Sequence, residues 1–217
     1  MSELVLVRHG ETEWSASGQH TGVTDLPLTP AGEQQVSQVR PLVGGRHFEL
    51  VLCSPRVRAR RTAELLGWTD PELAPDLAEW DYGGYEGRTT AEISAELGRP
   101  WRIWTDPVPP GATPGETLAQ VAERADRVLA RARPVLLAGG DVALVGHGHD
   151  LRVLAARWLG LAPQAGALLA LSAGSVSGLG YEHDRPVIAY WSLSAARLPA
   201  CPSPGCQRGP ENSLSRW

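Results

Sequence analysis

Lysine is absent from this 217-residue chain, so all 20 basic side chains are arginine. That excludes a lysine Schiff base, a pyridoxal-phosphate mechanism and a lysine general base. The absence itself reads as bias toward GC-rich codons rather than as physics. Cysteine is also scarce, at three residues, which fits a reducing compartment. Cys53 lies in an apolar run and reads as a small buried side chain. Cys201 and Cys206 lie in a Pro/Gly tail without nearby histidines, a poor zinc pattern. No amino-terminal apolar segment is long enough for a signal peptide and no run is long enough for a membrane span, so cytoplasm is the default expectation. Nor is there an excess of positive charge. A net charge of −4 argues against general binding to nucleic acid or to a membrane surface. A chain of this size buries about 70% of its unfolded surface, so no disulfide or metal staple is needed.

What is present begins in the first dozen residues. The apolar run Leu4-Val5-Leu6-Val7 ends in Arg8-His9-Gly10-Glu11-Thr12. A short apolar run closed by glycine reads as a buried strand. Open α/β sheets place ligands at the carboxyl ends of their strands. Arginine suits phosphate, and histidine is a nucleophile usable near pH 7. Phosphoryl chemistry is the first expectation.

The rest of the chain supports an α/β fold: a mostly parallel central sheet flanked by helices on both faces, with a small inserted cap. Strands are expected over 3–8, 48–53 and 142–146, then near 168–172, 176–182 and 187–193. Residues 13–29 read as a loop. Thr29-Pro30 opens a helix to about Leu42, and Ser54-Pro55 opens another to about Leu66 by the same N-cap and N1 logic. Residues 116–133 carry Leu118, Val121, Ala125, Val128 and Leu129 at helical spacing. A further helix follows His147-Gly148-His149, to about Leu159. The strand–helix alternation predicts the parallel sheet. Residues 70–115, rich in proline and glycine, carry Trp80, Tyr82, Tyr85, Trp101 and Trp104. They read as the cap over the sheet's carboxyl edge, with a tryptophan-rich satellite core as an equal reading for Trp101 and Trp104. One domain over 1–197 is expected, with a disordered tail from 198 to 217.

Three of these strands end in phosphate-competent residues: Arg8 and His9, then Ser54 with Arg58 one helical turn on, then His147. In a parallel sheet such ends converge. Two arginines and two histidines at one point form a positive pocket for a monoester dianion. A covalent mechanism fits, in which His9 attacks phosphorus and Arg8, Arg58 and His147 hold the equatorial oxygens. A carboxylic acid would protonate the leaving alkoxide. The arginines supply the charge, so no metal or other cofactor is called for.

These residues resemble the histidine phosphatase (phosphoglycerate-mutase-like) superfamily. Arg8-His9-Gly10-Glu11-Thr12 is similar to its defining motif, and Ser54-Pro55-Arg56-Val57-Arg58-Ala59-Arg60-Arg61-Thr62-Ala63 to its second, placing Arg58 as the second phosphate arginine. Glu79-Trp80-Asp81-Tyr82-Gly83-Gly84-Tyr85-Glu86-Gly87 resembles the acid-bearing segment, with Glu79 as proton donor. Gly146-His147-Gly148-His149 resembles the second-histidine motif. The motifs stand in family order from residue 3 to about 160. Many members carry Asn, Arg and Gln where this chain has Ser15, Gln19 and Thr21. That departure, with Pro100-Trp101-Arg102-Ile103-Trp104 and His147-Gly148-His149-Asp150-Leu151-Arg152, most resembles a subgroup of sedoheptulose-bisphosphatase-like enzymes and actinobacterial acid phosphatases. The resemblance implies substrate contacts at Ser15, His20, Thr21, Ser54, Tyr82, His149 and Arg152. Arg152 would serve a second phosphate or a sugar hydroxyl.

The expected activity is hydrolysis of a sugar phosphate or bisphosphate. Phosphoglycerate mutase is the alternative, and a non-catalytic phosphate-binding module is the reading from another class. The mutase is disfavoured because Trp80 and Asp81, not a basic residue, follow Glu79, and because the segment 88–115 is short. The expected partner is a small phosphorylated metabolite. No nucleic acid or membrane partner is expected, and a homodimer is allowed. Glu86 is the runner-up acid, Glu11 a loop-orienting residue, and Arg60 and Arg61 a solvated helix face. His47 and His183 read as solvated turn residues. His149 reads as a hydrogen-bonded histidine rather than a metal ligand beside His147, and His20 as substrate loop or plain surface loop. Activity is expected at mildly acidic to neutral pH, with arginines lowering the histidine pKa so that His9 stays neutral.

Overall fold

Leucines and valines alternate along the central strands, and each set packs on its own layer of helices. The structure, a computed structural model, describes residues 2–194. Its six strands are β1 (Leu4–Arg8), β2 (Leu50–Cys53), β3 (Glu72–Leu73), β4 (Val142–Gly146), β5 (Val176–Glu182) and β6 (Arg185–Leu193). They lie in the order β3-β2-β4-β1-β5-β6. The first four are parallel, while β5 runs antiparallel to both β1 and β6. The helices are α1 (Glu13–Ser17), α2 (Pro30–Val43), α3 (Val57–Leu66), α4 (Thr90–Leu97), α5 (Leu118–Leu137) and α6 (Gly148–Trp158). Leu4, Leu6, Leu52 and Leu144 pack with Val128, Leu129, Leu151 and Leu154 of α5 and α6. Val5, Val7, Cys53 and Val145 pack with Val36, Val39, Ala59 and Ala63 of α2 and α3. The period-two alternation of a strand buried on both faces explains the division. Among the described residues no helix is long and apolar enough to cross a membrane.

Helix α2 starts where the sequence places it: the Thr29 hydroxyl accepts from Gly32 N at 3.0 Å, with Pro30 in the first turn. Other boundaries differ. Residues 13–29 are not all loop. Thr12 and Ser15 form a reciprocal capping pair that starts α1, closed by Gly18 in the left-handed region at φ 81°. Helix α3 starts at Val57 rather than at Pro55: the Ser54 hydroxyl lies 2.7 Å from His147 Nε2 and accepts from Arg56 N at 3.4 Å, while Asp25 Oδ1 accepts from Val57 N at 2.8 Å. Residues 168–172 form no strand. A 3₁₀ helix over Pro163–Leu168 precedes non-strand chain there. The expected tail and Cys201 and Cys206 lie outside the described residues.

The segment 70–115 begins with β3 on the sheet edge and carries α4, whose start is fixed by a Thr89–Glu92 capping box. Trp80, Tyr82 and Trp101 are buried within the same core as β1 and β4, so this segment shares the main core. It also holds the loop after β1. His20 N donates to Arg88 O, and Gly87 N donates to His20 O, each at 2.9 Å.

Candidate active site

The parallel register brings three strand ends to one place. Arg8 lies beside Gly146 and Cys53 beside Val145. His9 N then donates to Gly146 O at 3.1 Å, and Ser54 N to Val145 O at 2.9 Å. His9, Ser54 and His147 therefore leave the sheet side by side, and the two imidazole centroids are 5.0 Å apart.

Their partners fix which ring nitrogen holds the proton. His9 Nδ1 lies 2.6 Å from Gly10 O. A carbonyl only accepts, so Nδ1 carries the hydrogen and Nε2 keeps a free lone pair. His147 is the reverse. Arg58 Nε donates to its Nδ1 at 3.1 Å, and a guanidinium cannot accept. His147 Nε2 therefore carries the hydrogen, directed at Ser54 Oγ at 2.7 Å. Both rings are almost fully buried. Burial first, then the Arg58 charge, holds both pKa values well below 6.5. The sequence pointed to the arginines, but desolvation is the larger cause.

The arginines are used unequally. Arg8 Nη1 donates to Leu171 O, while its buried Nε has no partner among the described residues. Arg58, fully buried, makes four hydrogen bonds: to His147 Nδ1 and to the carbonyls of Thr21, Gly22 and Thr24. It ties the loop after α1 to His147.

Glu79 reaches in from the 70–115 segment to the start of α6. Its carboxylate accepts from the backbone N–H groups of Trp80, His149 and Asp150 at 2.9–3.2 Å. Asp150, in the first turn of α6, accepts from His147 N at 2.7 Å. Burial, then the facing Glu79, raises the Asp150 pKa well above 3.8. Asp150 appeared in the sequence only inside the His147–Arg152 stretch, with no sign that it would face Glu79 across the fold.

A cleft of about 190 Å³ opens over His9 and Arg8. Ser15, His20, Thr21, Tyr82, His149 and Arg152 also line it, together with Gln19 and Gly148. Ser54, Arg58, Glu79 and His147 lie outside that lining, so Ser54 meets His147 rather than the cleft. Ser15 is engaged with Thr12, and the Thr21 hydroxyl donates to Gln19 O at 3.4 Å. His20 rests on the Tyr82 ring with centroids 4.7 Å apart, and its Nε2 is 3.2 Å from the Thr90 hydroxyl. Arg152 lies over Trp104 at 4.6 Å and donates to the carbonyls of Gly166 and Ala167. Gly148 matters because an added Cβ would meet Arg8 Cζ at 3.3 Å. Glu86 instead accepts from Gly22 N and Thr24 N, and Glu11 from the Thr29 hydroxyl, so both hold loops. A larger cleft of about 550 Å³ is lined by Trp80, Trp104, Asp106 and Glu116. Those two carboxylates are already paired with Arg99 and Arg124. Among the described residues, no group of three or more His, Cys, Asp or Glu side chains is placed to hold a metal ion.

Known proteins share this arrangement of chain. The family model "Histidine phosphatase superfamily (branch 1)" matches residues 4–194. The acid phosphatase of Mycobacterium tuberculosis is 40% identical over 198 residues, covering 90% of this chain and 95% of its own length. The sedoheptulose 1,7-bisphosphatase of Saccharomyces cerevisiae is 38% identical over 189 residues, 74% of this chain and 68% of its own. A probable phosphoglycerate mutase of Photorhabdus laumondii is 32% identical over 200 residues, 90% of this chain and 93% of its own. A solved structure of an open reading frame product from Mycobacterium tuberculosis superposes with a TM-score of 0.82 at 39% identity, covering 89% of this chain and 98% of that one.

Proposed function

The chain belongs to the histidine phosphatase superfamily, and from that premise we propose that it hydrolyses a small phosphomonoester through a phosphohistidine on His9. The observation that carries this reading is the His9 imidazole. Its Nδ1–H is held by Gly10 O, which leaves Nε2 as a free lone pair in a ring that lines the cleft beside Arg8. In the first step Nε2 attacks phosphorus in line, and the bond from phosphorus to the leaving oxygen breaks. Glu79 gives that oxygen its proton. In the second step water attacks the phosphohistidine and loses a proton to Glu79, and the phosphorus–nitrogen bond breaks. Inorganic phosphate leaves and His9 is restored.

Negative charge gathers on the equatorial oxygens, and donors set in advance stabilise it. Arg8 offers its unpartnered Nε. His147 offers Nε2–H, now shared with Ser54. Arg58 adds positive charge and holds His147 in that donor form. These protein cations and N–H groups would meet the phosphate charge.

Ser15, His20, Thr21, Tyr82, His149 and Arg152 would receive the organic portion. A sugar phosphate or sugar bisphosphate is the substrate class this reading favours. Support comes from likeness to an acid phosphatase and a sedoheptulose 1,7-bisphosphatase. Likeness to a probable phosphoglycerate mutase favours the second reading. Two measurements decide. Incubation with sugar phosphates should release inorganic phosphate, whereas isomerisation of supplied 3-phosphoglycerate, with no phosphate release from either substrate, would establish the mutase. Acid-quenched enzyme should carry labelled phosphate on His9. Full turnover by His9→Ala would remove the covalent mechanism.

A further inference from the structure

Tyr82 and the half-buried His149 form a hydrogen-bonded pair at the cleft that takes no part in the proposed bond-making and proton-transfer steps. Tyr82 Oη lies 2.6 Å from His149 Nδ1, and the tyrosine is 2% exposed. The backbone around Tyr82 is clamped. Asp81 accepts from Gly83 N at 2.9 Å and Gly115 N at 3.2 Å, while Glu116 accepts from Asp81 N at 3.0 Å and pairs with Arg124. The phenol is therefore held at one place and one angle.

The direction of the hydrogen bond follows from counting protons. Burial, then the facing Glu79 charge, pushes the Tyr82 pKa well above 10, so the phenol keeps its hydrogen. Among the described residues its only partner is His149 Nδ1. If Nδ1 carried the hydrogen instead, the phenol proton would be buried with no acceptor, a cost of roughly 1–3 kcal/mol. Burial, then Arg152 and His20, holds the His149 pKa well below 6.5, so the ring has one N–H. That hydrogen is then on Nε2, which has no protein partner among the described residues, on a ring that lines the cleft beside Arg152. Arg152 has no acceptor atoms either.

We propose that Tyr82 is a positioning residue that fixes His149 as its Nε2–H tautomer, so that His149 and Arg152 make a donor-only wall that selects an organic group bearing oxygen acceptors. The selection rests on the proposed reading of the cleft as a phosphoester site. The tautomer does not, because it is a property of the resting protein.

The test has two arms on the full chain. Nitrogen-15 spectra at neutral pH should show His149 with Nε2 protonated and Nδ1 bare. In Tyr82→Phe the same ring should become a mixture of tautomers. Kinetics with fructose 1,6-bisphosphate should then show KM rising about 3–10-fold in Tyr82→Phe, the loss of one aligned hydrogen bond, and rising more than kcat falls. A wild-type spectrum with Nδ1 protonated overturns the proposal, and decides alone if Tyr82→Phe does not fold. A fall in kcat with KM unchanged overturns the selective wall. Absence of any phosphate release with the expected spectrum would sink the proposed function and leave the tautomer standing.

Discussion

Lowering the pH from 6 to 5 should draw a stability loss from the histidines at the strand ends, and its size follows from their burial. His9 is 5% exposed and His147 is 0% exposed. Burial, then Arg58, holds both pKa values well below the ordinary 6.5. In the unfolded chain each titrates near about 6.5. Below that value the unfolded state binds protons that the folded state refuses. The stabilisation is therefore complete above the unfolded pKa and is lost as pH falls from there toward the folded one. Across that one pH unit the unfolded imidazole is on average about nine-tenths protonated, so a histidine that stays neutral in the fold contributes about 1 kcal/mol and the two together about 2 kcal/mol. Asp150 acts in the opposite sense. Its folded pKa is raised, so its contribution is present at low pH and lost as pH rises. His147→Gln separates the terms, because the other titrating groups are common to both proteins. Urea unfolding at the two pH values should show the wild type losing about 1 kcal/mol more than His147→Gln. Only this difference matters, whatever the variant does to absolute stability. Equal losses would mean that His147 is already charged in the fold, and the tautomer argument built on Arg58 would fall with it.

The polar strand ends were legible because a strand buried on both faces must be an apolar run, and Arg8, His9, Ser54 and His147 break those runs at their carboxyl ends. Convergence followed from the parallel sheet. What the sequence hid was how the polar atoms are shared. Ser54-Pro55 has the form of a helix start, yet the Ser54 hydroxyl lies 2.7 Å from His147 Nε2, and α3 begins at Val57. Contacts between residues far apart in sequence, Ser54 with His147 and Asp25 with Val57 N, bear on that competition. Helix α1 was hidden for a related reason. Its capping partner is Ser15, not the Glu or Gln of the usual signature, and five residues are too few for a periodic pattern. The tryptophans illustrate a false choice. Trp101 is buried in the main core and its ring is also 5.4 Å from that of His20, which lines the cleft, so the cap residue is itself core and backs the cleft wall. Arg58 was legible as a cation but not as the clamp on the Thr21–Thr24 carbonyls, since backbone oxygens carry no sequence signal.

Two substitutions test the scaffold behind the site. Gly10→Ala would drive a Cβ into the backbone oxygen of Gly32, where the loop after β1 passes the first turn of α2. Thermal unfolding should register about 2 kcal/mol, roughly 4–8 °C in Tm, and an unchanged Tm would show that the approach has slack. Arg58→Lys keeps the charge and removes the fork. Arg58 bonds His147 Nδ1 through Nε and three loop carbonyls through its terminal nitrogens, and one ammonium cannot reach both sets. If Arg58 served only as a cation, lysine would lose little. If it also fixes His147 as the Nε2–H donor, His147 is freed to turn its lone pair toward the phosphate, and kcat should fall by about 10²–10³, the usual cost of one oxyanion donor. Steady-state kinetics with a sugar phosphate read the outcome. A loss under tenfold refutes the clamp and leaves charge as the whole of the Arg58 contribution.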